Sequence, residues 1–159
     1  SGQDGAPAVA ATLRQQLESL GFRVTVRSAA PAVNAADVCG ASGAHVAVCP
    51  MTWAPDLLDP QAVLDPQFHG AAVRARSGTN WARLDDPEIN AALDQAARQP
   101  AGGDREAAYA AVNREIAGRA PAVPWLWGQT AMVRSRNAVG VANALSGLPD
   151  LSYSWVSRP

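Results

Sequence analysis

Residues 85–120, DDPEINAALDQAARQPAGGDREAAYAAVNREIAGRA, predict two consecutive helices, and this pair decides the fold. Asp86 followed by Pro87 is a typical helix start, because the aspartate side chain can accept from free backbone N–H groups and proline fits the first turn. The interruption QPAGGD separates the two helices. Apolar residues at helical spacing are expected to face a core. They are Ile89, Leu93 and Ala97 in the first helix, and Tyr109, Val112 and Ile116 in the second.

The N-terminal part of the chain predicts a helix followed by two strands. Gly21 is expected to end the helix in a left-handed conformation. FRVTVRS, residues 22–28, alternates apolar and polar side chains and predicts a half-exposed strand. HVAVCPM, residues 45–51, predicts a second strand. The apolar face of the helix consists of Val9, Leu13, Leu17 and Leu20.

The remaining segments complete the predicted architecture. Asp59-Pro60 predicts another helix start, and Asp65-Pro66 is expected to end or reset that short helix. The C-terminal part predicts a proline-rich extended segment, a strand pair and a last short strand. This order of elements predicts an α/β fold with a small mixed sheet flanked by helices. We expect residues 1–159 to form a single domain.

The composition narrows the class of protein. With 48% hydrophobic and 17% charged residues, the chain is expected to be globular. A net charge of -1 gives no electrostatic reason to expect nucleic acid or an anionic membrane surface as a partner. No apolar stretch approaches the roughly 20 residues of a membrane span. Five tryptophans fit a ligand cleft, with core packing as the alternative.

The two cysteines, Cys39 and Cys49, leave two readings open. A disulfide between them would close a short loop and imply an oxidising compartment, whereas two buried free thiols would imply neither. Two cysteines without a histidine cluster do not predict a structural zinc site. No metal or cofactor is therefore predicted.

Catalytic motifs give no support for an enzyme. No nucleophile elbow, zinc-protease motif or phosphate-binding glycine loop occurs in the chain. A cysteine could pair with His45 or His69, but the spacing predicts no contact, so His69 is expected to be a solvated loop residue. Arg74 and Arg76 could meet a ligand carboxylate, with a solvated loop as the alternative.

The stretch MTWAPDLLDP, residues 51–60, contains the best candidate binding residues. Asp59 is explained as a helix cap, but Asp56 has no such structural duty. A free carboxylate beside Trp53 suits the capture of a cation such as an amine. Ligands of open α/β sheets commonly bind beyond the carboxyl ends of strands, which is where this stretch is expected to lie.

Four segments in order carry a resemblance to a known family. The chain resembles the C-terminal lobe of extracellular solute-binding protein family 5, which serves peptide and nickel ABC importers. The segments are ATLRQQLESLGFRVTV, HVAVCPMTWAPDLLDP, TNWARLDDPEINAALDQAAR and DREAAYAAVNREIAGRAPAVPWLW, at residues 11–26, 45–60, 79–98 and 104–127.

The resemblance implies one lobe of a type II periplasmic-binding-protein-like fold, with the ligand enclosed between this lobe and an N-terminal lobe of the same protein. It implies a protein that is not an enzyme and that delivers a peptide or other small solute to an ABC permease. The location implied is the extracellular face of the membrane or the periplasm, with a lipid anchor on the full-length protein.

The resemblance also assigns roles to individual residues. Asp56, with Trp53, matches the position where the family's aspartate pairs with a peptide's α-ammonium. Asn80 matches a loop asparagine, either as a ligand contact or as a brace for the backbone. Thr52 and Asn90 depart from the family pattern, where a glycine and an aspartate are frequent.

A second hypothesis comes from the same fold. In actinobacteria it also serves cell-envelope lipoproteins that influence glycolipid synthesis of the phosphatidylinositol mannoside type. Such a protein would regulate or scaffold the synthesis and would not import a solute.

Overall fold

The computed structural model describes residues 6–27, 38–40, 46–75, 78–125, 127, 133–140, 151–152 and 154–157. The chain divides into two compact units, Ser1–Val33 and Asn34–Pro159. The organisation of residues 1–159 as a single lobe stays a prediction.

The first unit contains helix α1, Ala6–Ser19, as the sequence predicts. The backbone N–H of Gly21 donates to the carbonyl of Glu18, and the N–H of Phe22 donates to that of Leu17. This pair of bonds is a Schellman motif, which requires a left-handed residue, and Gly21 supplies it with a φ of +89°. The glycine therefore ends the helix as expected.

The two strands predicted after α1 are wrong. Residues 22–27 and 46–51 are described without any strand. The apolar side chains of the first segment do not form a buried face either, since Phe22 is 62% and Val26 47% exposed. A strand also needs a neighbour that accepts and donates along its backbone, and neither segment forms such a ladder with the described residues. Side-chain alternation alone cannot show whether such a neighbour exists.

Three helices of the second unit form its hydrophobic core. They are α2 (Gln61–Phe68), α3 (Pro87–Arg98) and α4 (Gly103–Arg119). The buried cluster between them consists of Leu64, Ile89, Leu93, Ala96, Tyr109, Val112 and Ile116. The predicted core faces of α3 and α4 are confirmed, except that Ala96 replaces Ala97, because the buried stripe follows i, i+4, i+7.

Helix α2 does not stop at Asp65-Pro66 as expected. It continues to Phe68 with Pro66 inside it, and a 3₁₀ turn, Gly70–Ala72, follows. Proline removes one intrahelical hydrogen bond, and a helix that keeps its course needs another donor for the carbonyl left free.

Helices α3 and α4 run antiparallel, and a different arginine of α4 joins them at each end. Where α3 begins and α4 ends, Arg119 donates to the side chains of Asp86 and Glu88. Asp86 also caps α3 by accepting from the N–H groups of Glu88 and Ile89. Where α3 ends and α4 begins, Arg105 donates to backbone carbonyls at the end of α3.

The described sheet consists of two short antiparallel strands, β1 (Ala138–Val139) and β2 (Trp155–Val156). Ala138 pairs with Val156 and Val139 pairs with Trp155. The described part of the chain is thus a mixed α/β structure that is mostly helical, which confirms the fold class coarsely. The prediction of a mixed sheet is not met by these strands, which are purely antiparallel. Over the same residues, no helix has the length and apolar character to cross a membrane.

Replacing Leu93 by alanine tests the position of the core. Leu93 is fully buried between the three helices, so Leu93→Ala should lower the free energy of unfolding by about 2–5 kcal/mol. Urea denaturation followed by circular dichroism measures this loss. Leu151→Ala, at an exposed leucine, is the control and should change the free energy by less than about 0.5 kcal/mol. Equal effects of the two substitutions would contradict the core described here.

Candidate functional site

The candidate site is the loop of residues 53–59, which connects extended chain to helix α2 and contains no regular secondary structure. It holds Trp53 and Asp56, the two residues that the sequence singles out for ligand binding. Its two ends are each fixed by hydrogen bonds to helices, and its middle is exposed.

The first end of the loop is fixed by the indole of Trp53. Its Nε1–H donates to the backbone carbonyl of Ala62 at 2.9 Å. In a regular helix that carbonyl accepts from the N–H four residues later, but residue 66 is Pro66, which has no N–H. The indole therefore replaces the hydrogen bond that proline removes, and this explains why α2 tolerates an internal proline.

The second end of the loop is fixed by Asp59. Its carboxylate accepts from the backbone N–H of Gln61 at 2.8 Å. The N-cap residue of α2 is Pro60, however, so the helix begins one residue later than predicted and Asp59 precedes the cap position. The same carboxylate also accepts from Nε and Nη2 of Arg105, at 3.1 and 3.2 Å. The hydrogen bond from Arg105, followed by that from Gln61, lowers the pKa of Asp59. The sequence pattern gave no sign of this ion pair, because its partners lie 46 residues apart.

Between these two ends lie three exposed residues, Asp56, Leu57 and Leu58. Leu57 is 65% exposed and Leu58 is 84% exposed. The Asp56 carboxylate makes no hydrogen bond or ion pair with any residue that the structure describes. It is the one acid of the loop without a structural partner in this part of the chain. Ligand binding by Trp53 and Asp56 stays a prediction.

Arg105 is the residue that sequence reasoning missed. Besides Asp59, its guanidinium donates to Oε1 of Gln61 at 2.8 Å and to the carbonyls of Ala96, Ala97 and Gln99. Every N–H group of the guanidinium is engaged, and its carbon lies 5.1 Å from the centroid of the Tyr109 ring. The hydrogen bond to Asp59 raises the pKa of Arg105. The spacing Arg105-x-x-x-Tyr109 was the available signal, since the two residues share one helical face.

Asn80 lies away from solvent, with 1% of its surface exposed. Its Nδ2 donates to the carbonyls of His69 and Leu84, at 3.1 and 2.8 Å, and its Oδ1 accepts from the Leu84 N–H at 3.2 Å. These bonds hold the chain between α2 and α3. Of the two roles that the sequence left open for Asn80, the brace accounts for its position, and a direct ligand contact does not.

The tryptophans fall into two groups. Trp53 and Trp81 each donate to a backbone carbonyl, Trp81 to that of Gly78 at 2.9 Å, so both have structural roles. Trp125, Trp127 and Trp155 are exposed in the C-terminal segments. In the described residues the five tryptophans therefore do not line one cleft, as their number had suggested.

His69 is not the solvated loop residue that the sequence predicts. Its Nδ1 accepts from the Ala71 N–H at 3.0 Å, which caps the 3₁₀ turn, and its Nε2 lies 3.4 Å from Oδ1 of Asp94. Local capping by histidine was missed because the turn itself was not predicted. Arg74 is exposed, whereas His45 and Arg76 lie outside the described residues.

Of the two readings left open for the cysteines, the structure has the disulfide between Cys39 and Cys49, with their Cα atoms 6.2 Å apart. Neither cysteine is free, so neither can act as a thiolate nucleophile. The described residues contain no group of three or more histidine, cysteine, aspartate and glutamate side chains arranged to hold a metal ion.

Asp65 is a half-buried acid that contacts Gln61, one of the partners of Arg105. Its Oδ2 accepts from Nε2 of Gln61 at 3.0 Å, whereas its Oδ1 is buried without a hydrogen bond to any described group. Burial raises the pKa of Asp65, and burial also raises the pKa of Tyr109 to about 12. Tyr109 is only 1% exposed, and Asp65 is half-buried with its Oδ1 atom out of contact with solvent, so we assign both groups to stability.

A shallow groove of about 200 Å³ lies between α3 and α4. Alanine and valine supply five of its eight lining residues, so it offers little for polar recognition beyond Gln95, Gln99 and Glu115. Its lining residues are Ala92, Gln95, Ala96, Gln99, Ala108, Ala111, Val112 and Glu115. We therefore keep the 53–59 loop as the candidate site.

Comparisons of the chain with models of known protein families, with curated proteins and with solved structures found no match.

A double-mutant cycle tests the replacement bond between Trp53 and α2. Trp53→Phe leaves the Ala62 carbonyl without its donor and should lower the free energy of unfolding by about 1–3 kcal/mol. In a Pro66→Ala background, the restored N–H supplies that carbonyl, so the same substitution should cost about 1 kcal/mol less. Urea denaturation of the four proteins measures the coupling. Equal costs in both backgrounds would show that the indole does not compensate for the proline.

Replacing Asp65 by asparagine tests its raised pKa. Because the folded state favours the neutral carboxyl group, this group contributes stability below its unfolded pKa and loses it as pH rises through the folded value. Asp65→Asn should therefore raise the melting temperature at pH 7 by about 2–4 °C, and the gain should shrink towards zero as the pH is lowered towards 4. Thermal unfolding across this pH range measures it. Asp104→Asn, at an exposed acid, is the control, and a pH-independent gain for Asp65→Asn would refute the assignment.

Proposed function

We propose that this chain is the C-terminal ligand-binding lobe of an extracellular solute-binding protein that takes peptides and delivers them to an ABC permease. The observation that supports it most directly is the unpaired carboxylate of Asp56, displayed on a loop whose two ends are fixed. The resemblance of the surrounding sequence to solute-binding protein family 5 supplies the biological role.

The chemistry of the loop suits a peptide's α-ammonium group. A carboxylate accepts a charge-assisted hydrogen bond from ammonium, one of the stronger polar contacts available to a protein. Asp59, the other acid of the loop, already pairs with Arg105, so that cation is not available to Asp56. Asp56 therefore carries the single negative charge of the loop that no described cation neutralises.

The anchors of the loop give the proposed contact its precision. Trp53 and Asp59 hold the ends of a seven-residue segment on α2 and α4, so less conformational freedom remains to be lost when a ligand binds. Preorganisation of this kind raises affinity without adding contacts. In this proposal Trp53 acts through its position, and Asp56 makes the contact.

The proposed cellular setting agrees with the disulfide. Bridges such as Cys39–Cys49 persist in oxidising compartments, which include the cell surface and the periplasm. Closure of an N-terminal lobe over the ligand would remove water from the ion pair, and the weaker screening would strengthen it. The permease would then receive the peptide without any bond being made or broken.

Substitution of Asp56 tests the proposal. Isothermal calorimetry on the full-length, two-lobe protein should detect binding of trialanine, and Asp56→Asn should weaken it by roughly 2–5 kcal/mol, because the ammonium loses its charged partner. N-acetyl-trialanine removes the other half of the pair and should lose a similar amount on the unmodified protein. Asp56→Asn combined with the acetylated peptide should show no further loss.

The control variant is Asp104→Asn, which makes the same charge change at an exposed acid in the first turn of α4. It should bind trialanine as tightly as the unmodified protein. Equal affinity of the Asp56→Asn variant and the control would remove Asp56 from the site, and absence of peptide binding would contradict the proposed function.

A further inference from the structure

Two consecutive leucines next to Asp56 have no structural duty in the described part of the chain. Leu57 and Leu58 lie outside the hydrophobic core and expose most of their side-chain surface. Isolated exposed leucines are ordinary on protein surfaces, but adjacent ones on a loop that carries an unpaired charge are less easily explained. Such a pair of leucines is expected either to contact a ligand or to be covered by another molecule.

The two leucines are exposed between the two fixed ends of the loop. The Trp53–Ala62 bond holds the loop on one side, and the Asp59–Arg105 ion pair begins one residue after Leu58 on the other. The apolar surface is thus held outward by the same contacts that hold Asp56 outward. Charge and apolar surface are presented together as one unit.

We propose that the 53–59 loop selects peptides whose first residue has an apolar side chain, with Asp56 binding the ammonium and Leu57 and Leu58 contacting the side chain. This inference rests on the proposed function and adds the class of peptide.

A peptide's first residue combines the two kinds of group that the loop exposes. In that residue the ammonium group and the side chain branch from one Cα atom, so a charged and an apolar group lie within a few ångströms of each other. Asp56, Leu57 and Leu58 are consecutive and exposed, with Cα atoms about 3.8 Å apart from one residue to the next, so the loop likewise offers a charge beside apolar side chains. An amine with an adjacent apolar group is therefore the occupant that satisfies all three side chains.

The charge of Asp56 argues against the other occupants of an apolar surface. A second copy docked through the same loop about a two-fold axis would bring two unpaired Asp56 carboxylates together. An anionic lipid surface would repel the same carboxylate. A peptide amino terminus is the partner whose charge complements the loop.

Titration of the ¹⁵N-labelled, oxidised full-length protein, with both lobes present, against two peptides tests the inference. Leu-Ala-Ala should bind about tenfold more tightly than Ser-Ala-Ala, since burial of one leucine side chain against the loop contributes about that factor. The Leu57→Ser/Leu58→Ser variant should lose this preference, with Leu-Ala-Ala weakened towards Ser-Ala-Ala. Leu151→Ser, at an exposed leucine elsewhere, should keep the tenfold preference. Methyl NOEs from the peptide leucine to Leu57 or Leu58 give a second, direct measurement.

The outcomes separate the inference from the function on which it rests. Peptide binding with a preference that survives in the Leu57→Ser/Leu58→Ser variant overturns the inference and leaves peptide binding intact. Absence of binding for both peptides overturns the proposed function and the inference with it. Concentration-dependent shifts of the Leu57 and Leu58 resonances without peptide would show that a second copy covers the leucines, which also overturns the inference.

Discussion

The guanidinium group of Arg105 is the contact on which the second unit depends. It joins the start of α2 through Asp59 and Gln61, the end of α3 through three carbonyls, and its own helix through Tyr109. Only a planar group with five N–H donors can serve so many acceptors at once, so lysine could not replace it. Its side chain is nearly buried, and its charge is tolerated there because each donor has an acceptor.

The same arginine links the core to the candidate site. By holding Asp59, it fixes one end of the loop that presents Asp56, and by neutralising Asp59 it leaves Asp56 as the unpaired acid. Stability and the proposed recognition would thus be divided between two acids three residues apart. The division has a physical basis, since an acid engaged by an arginine and a backbone N–H has little capacity left for a ligand's ammonium.

The sequence predicted the features that depend on neighbours along the chain. The cap at Asp86, the stop at Gly21 and the core stripes of α3 and α4 follow from local rules of helix geometry. The two predicted strands were wrong because a strand depends on pairing with a second segment, which no local pattern identifies. The bonds Trp53–Ala62 and Asp59–Arg105 were missed for the same reason, although Pro66 inside an apolar helix pattern already implied that some donor must replace its absent N–H.

The short-range and long-range contacts of Arg105 have a consequence for the order of folding. The contacts of Arg105 with the end of α3 close a loop of fewer than ten residues, whereas its bond to Asp59 spans 46 residues. Short closures cost less chain entropy and form sooner. We therefore expect the α3–α4 hairpin to form first and the 53–59 loop to be fixed on it later. The candidate site would then be the last part of the second unit to acquire its shape on folding and the first to lose it on unfolding.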